Sequence, residues 1–341
     1  MRNSHGTLTR GQAPDAALSL LRGAAVLYIV SFWHLQDYTP ALGFMNSATS
    51  LLTYCVLGLF VFLSGFLLSR RYRIDSLSDA GRFYVRRLFR IVPMYLVALI
   101  GFYLIGRATP ATLIKGVVFL NVMSGSSLAT LWFVEMLCWF YLATPLLLYR
   151  GRVPTMLFIG ATISLLLLFG SLYSHRAIDI RLALYFPVFV IGTVAGRSRL
   201  GWPVMGRWLP VVCSLLVIAG VWLALSRVSG EVSRLALRQV AMLAALVPLF
   251  KTAQLLAPRL PSRVIFVLSY CSYGAYVLHR LVFDMAVSLY QPKLWWTSCL
   301  YLLFLCVPAI FLAAGGLQWA SDRLWRGFHP RSWTPSRDTH T

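Results

Sequence analysis

The 341-residue chain is short of charge: only 12% of its positions are Asp, Glu, Lys or Arg, and only 10 of them are acidic. A soluble domain carries roughly a quarter charged residues, so a water-facing globular surface is excluded. The 6 cysteines, Cys55, Cys138, Cys213, Cys271, Cys299 and Cys306, lie scattered in apolar stretches without CxxC or Cys/His spacing. That excludes a secreted disulfide scaffold and a zinc site; the thiols read as small buried hydrophobes, and no metal is expected. No GxGxxG or Walker-type loop precedes a helix-forming run, so a nicotinamide enzyme or an NTPase has no support. Low-complexity tracts and internal repeats are also missing.

What the chain has instead is apolar residues, 59% of the total, in repeated runs. Each run is about twenty residues, enough to cross a hydrocarbon core of ~30 Å at ~1.5 Å per residue. Spans are expected near 16–35, 47–69, 86–106, 128–149, 154–173, 180–197, 208–226, 235–250, 264–288 and 294–319. The stretch 111–122 is apolar but short, and reads as a re-entrant or interfacial helix. The fold class is therefore all-α: a polytopic transmembrane helical bundle of about ten spans with no soluble domain. A membrane domain over 16–320 is flanked by tails 1–15 and 321–341, and the first span reads as a retained helix, not a signal peptide.

The net charge of +21 comes from 31 Lys and Arg. In a soluble protein it would suggest nucleic acid, but here the aromatic residues sit inside the apolar runs, so no nucleic-acid partner is expected. The basic residues sort by loop. One side holds Arg2, Arg10, the run Arg70–Arg90, Arg150, Arg152, Arg197, Arg199, Arg207, Lys251, Arg259, Arg263, Arg323, Arg326, Arg331 and Arg337. The other holds Arg107, Lys115, Arg176, Arg181, Arg227, Arg234, Arg238 and Lys293. The positive-inside rule then puts both termini in the cytoplasm.

Few ionisable residues fall at membrane depth: Arg22, His34, Glu135, His279, Arg280 and Asp284, with Asp37 at a boundary. Such groups cost ~2.5–3.5 kcal/mol for Arg or Asp at a helix centre, so a shared polar cavity is expected, against snorkelling or a structural ion pair for any one of them. His34 is the residue best suited to chemistry, because an imidazole with a pKa near ~6.5 takes and returns a proton at neutral pH. Asp37, three residues on, would hold the ring tautomer; the alternative is an interfacial His beside Trp33. Arg70, Arg71, Arg73, Arg82, Arg86, Arg87 and Arg90 are more than topology requires. They fit either the phosphates of a polyphosphate compound or anionic membrane lipid.

Five segments together resemble the membrane acyltransferase-3 family, in the family's order: Leu20-Leu21-Arg22-Gly23 running to His34; Leu59–Leu67, with Ser64-Gly65 inside it; Phe83–Pro93; Leu131-Trp132-Phe133-Val134-Glu135 with Phe140-Tyr141 and Pro145; and Ser272-Tyr273-Gly274-Ala275-Tyr276-Val277-Leu278-His279. The resemblance implies an O-acyltransferase of the bacterial cytoplasmic membrane. It would move an acyl group, commonly acetyl, from cytoplasmic acyl-CoA to a hydroxyl of a glycan, lipid-linked sugar or small metabolite. It implies a general base in His34, with Asp37 beside it, and an Arg22 on the acyl-CoA path or at the developing oxyanion. Arg71, Arg86, Arg87 and Arg90 would take the CoA phosphates, Glu135 would orient a partner in the cavity, and Trp132, Tyr273 and His279 would contact substrate. A transporter or flippase of a lipid-linked or anionic solute is the alternative, and a structural subunit a third reading.

One spacing departs from the family. Its Arg and His are eleven residues apart, about three helical turns on one face; here Arg22 and His34 are twelve apart. A π-bulge or another break in α-helical period is expected between Val26 and Trp33 if the two are used together.

Overall fold

The computed structural model describes residues 13–39, 43–125, 128–174, 177–198 and 208–328. Arg2, Arg10, Arg176, Arg199, Arg207, Arg331 and Arg337, and with them most of both expected tails, lie outside the described residues. Helix α1 (Ala13–Tyr28) runs on through a π-helical turn (Ile29–Trp33) and a 3₁₀ turn (His34–Asp37). It is followed by α2 (Ser47–Arg71), α3 (Leu77–Leu104), α4 (Pro110–Val117), α5 (Leu131–Leu148) and α6 (Val153–Tyr173). Then come α7 (Ile180–Arg197), α8 (Leu209–Leu225), α9 (Glu231–Leu256) and α10 (Ser262–Leu289). The last rod is α11 (Trp295–Tyr301), a π turn (Leu302–Cys306) and α12 (Val307–Phe328). Among the described residues 9 helical runs are long and apolar enough to span, α8 is a shorter apolar helix, and there is no strand. The all-α polytopic bundle expected from the sequence is the observed fold.

The helix starts are set by local hydrogen bonding. Asn46 Oδ1 accepts from the backbone N–H groups of Ala48 and Thr49, each at 3.0 Å, and Thr49 Oγ1 accepts from Asn46 N at 3.0 Å, a reciprocal capping box. Ser76 and Asp79 form another at the start of α3. That box begins α3 at Leu77, well before the expected position 86, so Arg82, Arg86, Arg87 and Arg90 ride on its opening turns and not in a loop. The apolar stretch 111–122 does not span: α4 is capped by Thr109 with Pro110 in its first turn, and the chain then buries Asn121 and Val122 in a 3₁₀ turn.

The bundle packs most closely at α2 against α7. Gly192 and Gly196, in a GxxxG spacing, face the backbone carbonyls of Phe62 and Phe66, while Gly65 faces the carbonyl of Phe189. A Cβ at any of the three would collide with backbone, so the glycines let the two helices touch. Phe62, Phe66, Phe140, Phe186 and Phe189 fill the space around that contact. Large apolar side chains point outward instead, Leu166 and Phe169 on α6, Leu216 on α8, Phe304 and Leu312 on the last rod. Hydrocarbon solvates such a surface, whereas a soluble monomer rarely exposes so large an apolar area.

The α2–α7 contact gives a first prediction. Gly192→Ala lowers the thermal stability of the detergent-solubilised protein, because overpacking against backbone costs about 1–3 kcal/mol. Gly220→Ala on α8, where an added methyl meets nothing within 4 Å, leaves stability level or higher. Equal melting temperatures for the two variants would count against the close contact.

Candidate active site

Helices α1 and α10 run side by side and are tied at two levels. Gly23 lets α1 approach Leu268, where any Cβ would be too close to that side chain. Next to it Arg22 Nη2 donates to Ser269 Oγ at 2.9 Å. Further along the same pair, Arg280 Nη2 donates to His34 Nδ1 at 2.8 Å. The two ties are eleven residues apart on α10 and twelve on α1. The extra residue is taken up by the π turn, in which the N–H of His34 bonds to the carbonyl of Ile29, five residues back. The break expected between Val26 and Trp33 is therefore present, and it keeps Arg22 and His34 on the face that meets α10.

His34 stands in a network at the far end of that pair. Its Nδ1 lies 3.3 Å from Asp37 Oδ2, and Arg280 bridges the two by an ion pair to the same carboxylate. One ring nitrogen serves one of these partners at a time. With the proton on Nδ1, Asp37 accepts it and Nε2 keeps a lone pair; with Arg280 donating to Nδ1, Nε2 carries the proton. The His279 ring lies beside that of His34, centroids 4.9 Å apart. His279 Nδ1 is 2.7 Å from the carbonyl of Tyr276, which can only accept, so Nδ1 donates and the buried Nε2 is left without a partner. Next to this pair Tyr38 donates to Asp284 Oδ1 at 2.8 Å, and Arg107 pairs with Asp284 at 3.2 Å.

At the other end of α1 is a cavity of about 550 Å³. Five arginines line it, Arg22, Arg70, Arg71, Arg87 and Arg90, and among the described residues no carboxylate does. Its remaining polar groups come from Ser64, Tyr141, Ser272, Tyr273 and Tyr276. Tyr273 is anchored by donating to the carbonyl of Ile91 at 2.8 Å, just ahead of Pro93 in α3. The Nε atoms of Arg22 and Arg87 are buried and, among the described residues, have no hydrogen-bond partner. Arg87 packs over the rings of Tyr72 and Tyr141, at 5.2 and 5.9 Å, and Arg70 over Phe66 at 5.4 Å. Like charges gathered in this way repel unless an anion lies between them, and guanidinium forks suit phosphate oxygens.

The buried ionisable groups do not share one cavity, as the sequence suggested. Phe133 and Tyr276, ring centroids 5.3 Å apart, close the arginine cavity one helical turn short of the His34–His279 pair. Arg22 lies roughly 18 Å from His34 along α1, so it belongs with the phosphate-sized cavity and not at an oxyanion beside His34. Arg86 does not line the cavity. The lining face of α3 is centred between Arg87, Arg90 and Ile91, and Arg86 stands about a quarter turn away from that centre.

Glu135 occupies a third place. It is 0% exposed and accepts from Tyr95 Oη at 2.7 Å, Asn121 Nδ2 at 2.9 Å and Val122 N at 3.2 Å. It thus clamps the segment after α4 to α3 and α5, and touches neither the cavity nor His34. The clamp holds a strained stretch, since Phe119 and Thr130 have φ of +58° and +67°. Trp132 packs under the Arg181 guanidinium, 3.9 Å from its ring centroid, and not in the cavity. Ser64, Ser269, Tyr141 and Arg280 were not singled out as site residues by sequence. For Ser64 the signal was the Ser-Gly step within the apolar run of α2, and for Arg280 its depth. Among the described residues no group of three or more His, Cys, Asp or Glu is placed to hold a metal ion.

A multi-pass bundle with a guanidinium-lined cavity at one end of a helix pair and an imidazole at the other has the parts of a membrane-embedded transferase. The acyltransferase-3 family model, described as an acyltransferase domain, matches residues 15–315, and the chain belongs to this family. No curated protein and no solved structure matches it. The protein is a membrane acyltransferase, which implies an acyl donor and a hydroxyl acceptor.

Two predictions follow from the register and the clamp. Deleting Ser31, within the π turn, restores an eleven-residue offset that already matches α10, so the variant folds and keeps acyl transfer. Inserting one alanine after Ser31 swings His34 by about 100° and abolishes transfer; loss of activity in both variants would refute the register. Glu135→Ala leaves an Asn121 Nδ2–H and the Val122 N–H without their acceptor, while Tyr95 Oη keeps the carbonyl of Gly116 at 3.0 Å. It lowers stability by on the order of 2 kcal/mol, read as a fall in melting temperature, with the KM for the donor unchanged.

Proposed function

We propose that the protein is an O-acyltransferase that uses acyl-CoA, commonly acetyl-CoA, as donor and a hydroxyl of a glycan, lipid-linked sugar or small metabolite as acceptor. The observation that carries this reading is the contrast between the two ends of the α1–α10 pair. One end gathers five arginines, with no carboxylate among the described lining residues, around about 550 Å³, suited to a polyanion. The other sets Arg107 and Arg280 against Asp37 and Asp284 around His34, a charge-balanced place suited to a neutral polyhydroxyl group. A donor with phosphates at one end and its reacting carbon at the end of a long arm fits the roughly 18 Å between Arg22 and His34. CoA thioesters have that form.

In the proposed reaction Arg22, Arg70, Arg71, Arg87 and Arg90 hold the CoA phosphates, with the buried Nε–H groups of Arg22 and Arg87 among the donors. The pantetheine arm passes Tyr273 and Tyr276 toward His34. Asp37 accepts the hydrogen bond of Nδ1–H and holds that tautomer, leaving the Nε2 lone pair to remove the proton of the acceptor hydroxyl as its oxygen attacks the thioester carbonyl. The tetrahedral oxyanion collapses, the carbon–sulfur bond breaks, and the imidazolium returns its proton to the CoA thiolate. Arg280, ion-paired with Asp37, fixes the carboxylate that orients His34 and offers positive charge near the developing oxyanion. Trp132 acts through Arg181 and His279 through His34, so both are positioning residues on this reading. The basic cavity faces the cytoplasm, where acyl-CoA is made, both termini lie on that side by the positive-inside rule, and the membrane is a bacterial cytoplasmic one.

The test is release of CoA thiol by membranes given acetyl-CoA and a hydroxyl acceptor. His34→Ala lowers turnover by about 10²–10⁴-fold without loss of expression, and full turnover in that variant would remove the base from the scheme. Arg87→Ala combined with Arg90→Ala raises the KM for acetyl-CoA and leaves that for the acceptor in place. Equal changes in both constants would give the arginines a folding role instead.

A further inference from the structure

A second cavity, about 330 Å³, opens at the N-terminal end of α2, opposite Arg70 and Arg71. Ser47, Ser50 and Tyr54 of α2 form one wall, Trp222 of α8 another, and Arg234 and Arg238 of α9 a third. Among the described residues no carboxylate lines it. Arg234 and Arg238 are one helical turn apart on the same face of α9, an arrangement that repels in an isolated helix. Arg238 lies 4.5 Å over the centroid of the Tyr54 ring and, among the described residues, has no carboxylate partner. Arg234 donates its Nε–H to the carbonyl of Val228 at 2.8 Å, so its terminal nitrogens are not used in that bond, and it lines the cleft together with Ser226. Trp222 Nε1 donates to Ser47 Oγ at 3.1 Å and braces the far side.

The cleft lies on the lipid-facing side of the bundle. Leu216 and Leu223 of α8 and Val232 and Val240 of α9 are exposed around it. Its depth follows from helix length. Helix α9 has 26 residues, about 39 Å, against ~30 Å for the hydrocarbon core, so its first turns reach the headgroup layer. Arg234 and Arg238 stand three and seven residues into α9, where headgroup gives way to acyl chain. Trp222 beside them is typical of that layer.

We propose that this cleft binds the phosphate of an anionic membrane lipid. The two guanidinium groups take the phosphate oxygens as bidentate donors, the serine hydroxyls take the ester or glycerol oxygens, and Trp222 and Tyr54 cover the start of the acyl chains. Two uncompensated positive charges select against zwitterionic headgroups, whose ammonium they would repel. The site is separate from the arginine cavity, at the other end of α2, and does not depend on the identity of the acyl donor.

Native mass spectrometry of the full-length protein in detergent tests it, with phosphatidylglycerol and phosphatidylcholine titrated separately. The wild type retains one phosphatidylglycerol with roughly tenfold preference over phosphatidylcholine. Arg234→Gln combined with Arg238→Gln loses that preference, while Arg227→Gln, in the nearby loop and outside the cleft, keeps it. A melting temperature equal to that of the wild type checks the fold of the double variant, and the exposed Arg234→Gln alone, with a partial loss of preference, serves if the double variant does not fold. An undiminished preference in the arginine variants overturns the proposal. So does displacement of the lipid by millimolar inorganic phosphate, which would make the ligand a free anion and not a membrane lipid.

Discussion

The alignment of α1 with α10 is the constraint on which the site depends. Gly23 allows the approach, Arg22 and Ser269 fix one level, and His34 and Arg280 fix another. Between those levels the two helices differ by one residue in length, and a continuous α-helix would turn His34 away from α10 by about 100°. The π turn at Ile29–Trp33 removes that mismatch at the cost of local helix geometry. Ser31, in the middle of it, leaves its buried hydroxyl without a partner, a sign that helix register and not local bonding decided the conformation. The same alignment separates two kinds of site along one axis, a cluster of positive charge at one end and an imidazole in a charge-balanced network at the other.

Low dielectric accounts for how the charges are grouped. Arg or Asp placed alone at a helix centre costs ~2.5–3.5 kcal/mol, so each such group lies in a cavity, in a network or in a clamp. Asp37 and Asp284 each meet a guanidinium, and Glu135 meets three donors of which none is a cation. Glu135 is therefore held by hydrogen bonds that serve the backbone of the segment after α4, a structural task, whereas Asp37 shares its cation with an imidazole. Among the described residues no carboxylate lines the cavity of the five arginines, and this excess of positive charge is what sets them apart from the rest of the buried charge.

Much of this was legible in the sequence, for a physical reason. Long apolar runs mark the spans, and charge stands out against them, so the helices and the group Arg22, His34, Glu135, His279, Arg280 and Asp284 could be read directly. The π turn was legible only through a spacing comparison, because nothing in Ile29–Trp33 itself disfavours α-helix. The division of the buried groups into three places was not legible. It rests on uncharged residues, Tyr95 and Asn121 around Glu135 and Phe133 and Tyr276 across the cavity, which look like any others in an apolar run. The Arg70–Arg90 cluster was visible as a cluster, but which of its members face the cavity depended on where the Ser76–Asp79 box started α3, and that choice put Arg87 and Arg90 inside and Arg86 aside.

The aromatic closure between cavity and imidazoles is the remaining step in connecting the two ends. On the proposed reading the thioester has to pass Phe133 and Tyr276. Tyr276 contributes two different groups here. Its ring closes the cavity, held by a long hydrogen bond of 3.3 Å from its hydroxyl to the carbonyl of Thr130, while its own carbonyl accepts from His279 Nδ1 at 2.7 Å. A ring moves by rotation about χ1 and χ2 and a helical carbonyl does not follow it. The cavity can therefore open by releasing the weaker bond to Thr130 without disturbing the orientation of His279 beside His34. The Glu135 clamp, with donors at 2.7, 2.9 and 3.2 Å, holds the neighbouring segment fixed meanwhile. On the proposed reading, turning this one ring would open the path while the orientation of His279 is kept, and its return would keep water from the thioester until a donor occupies the path.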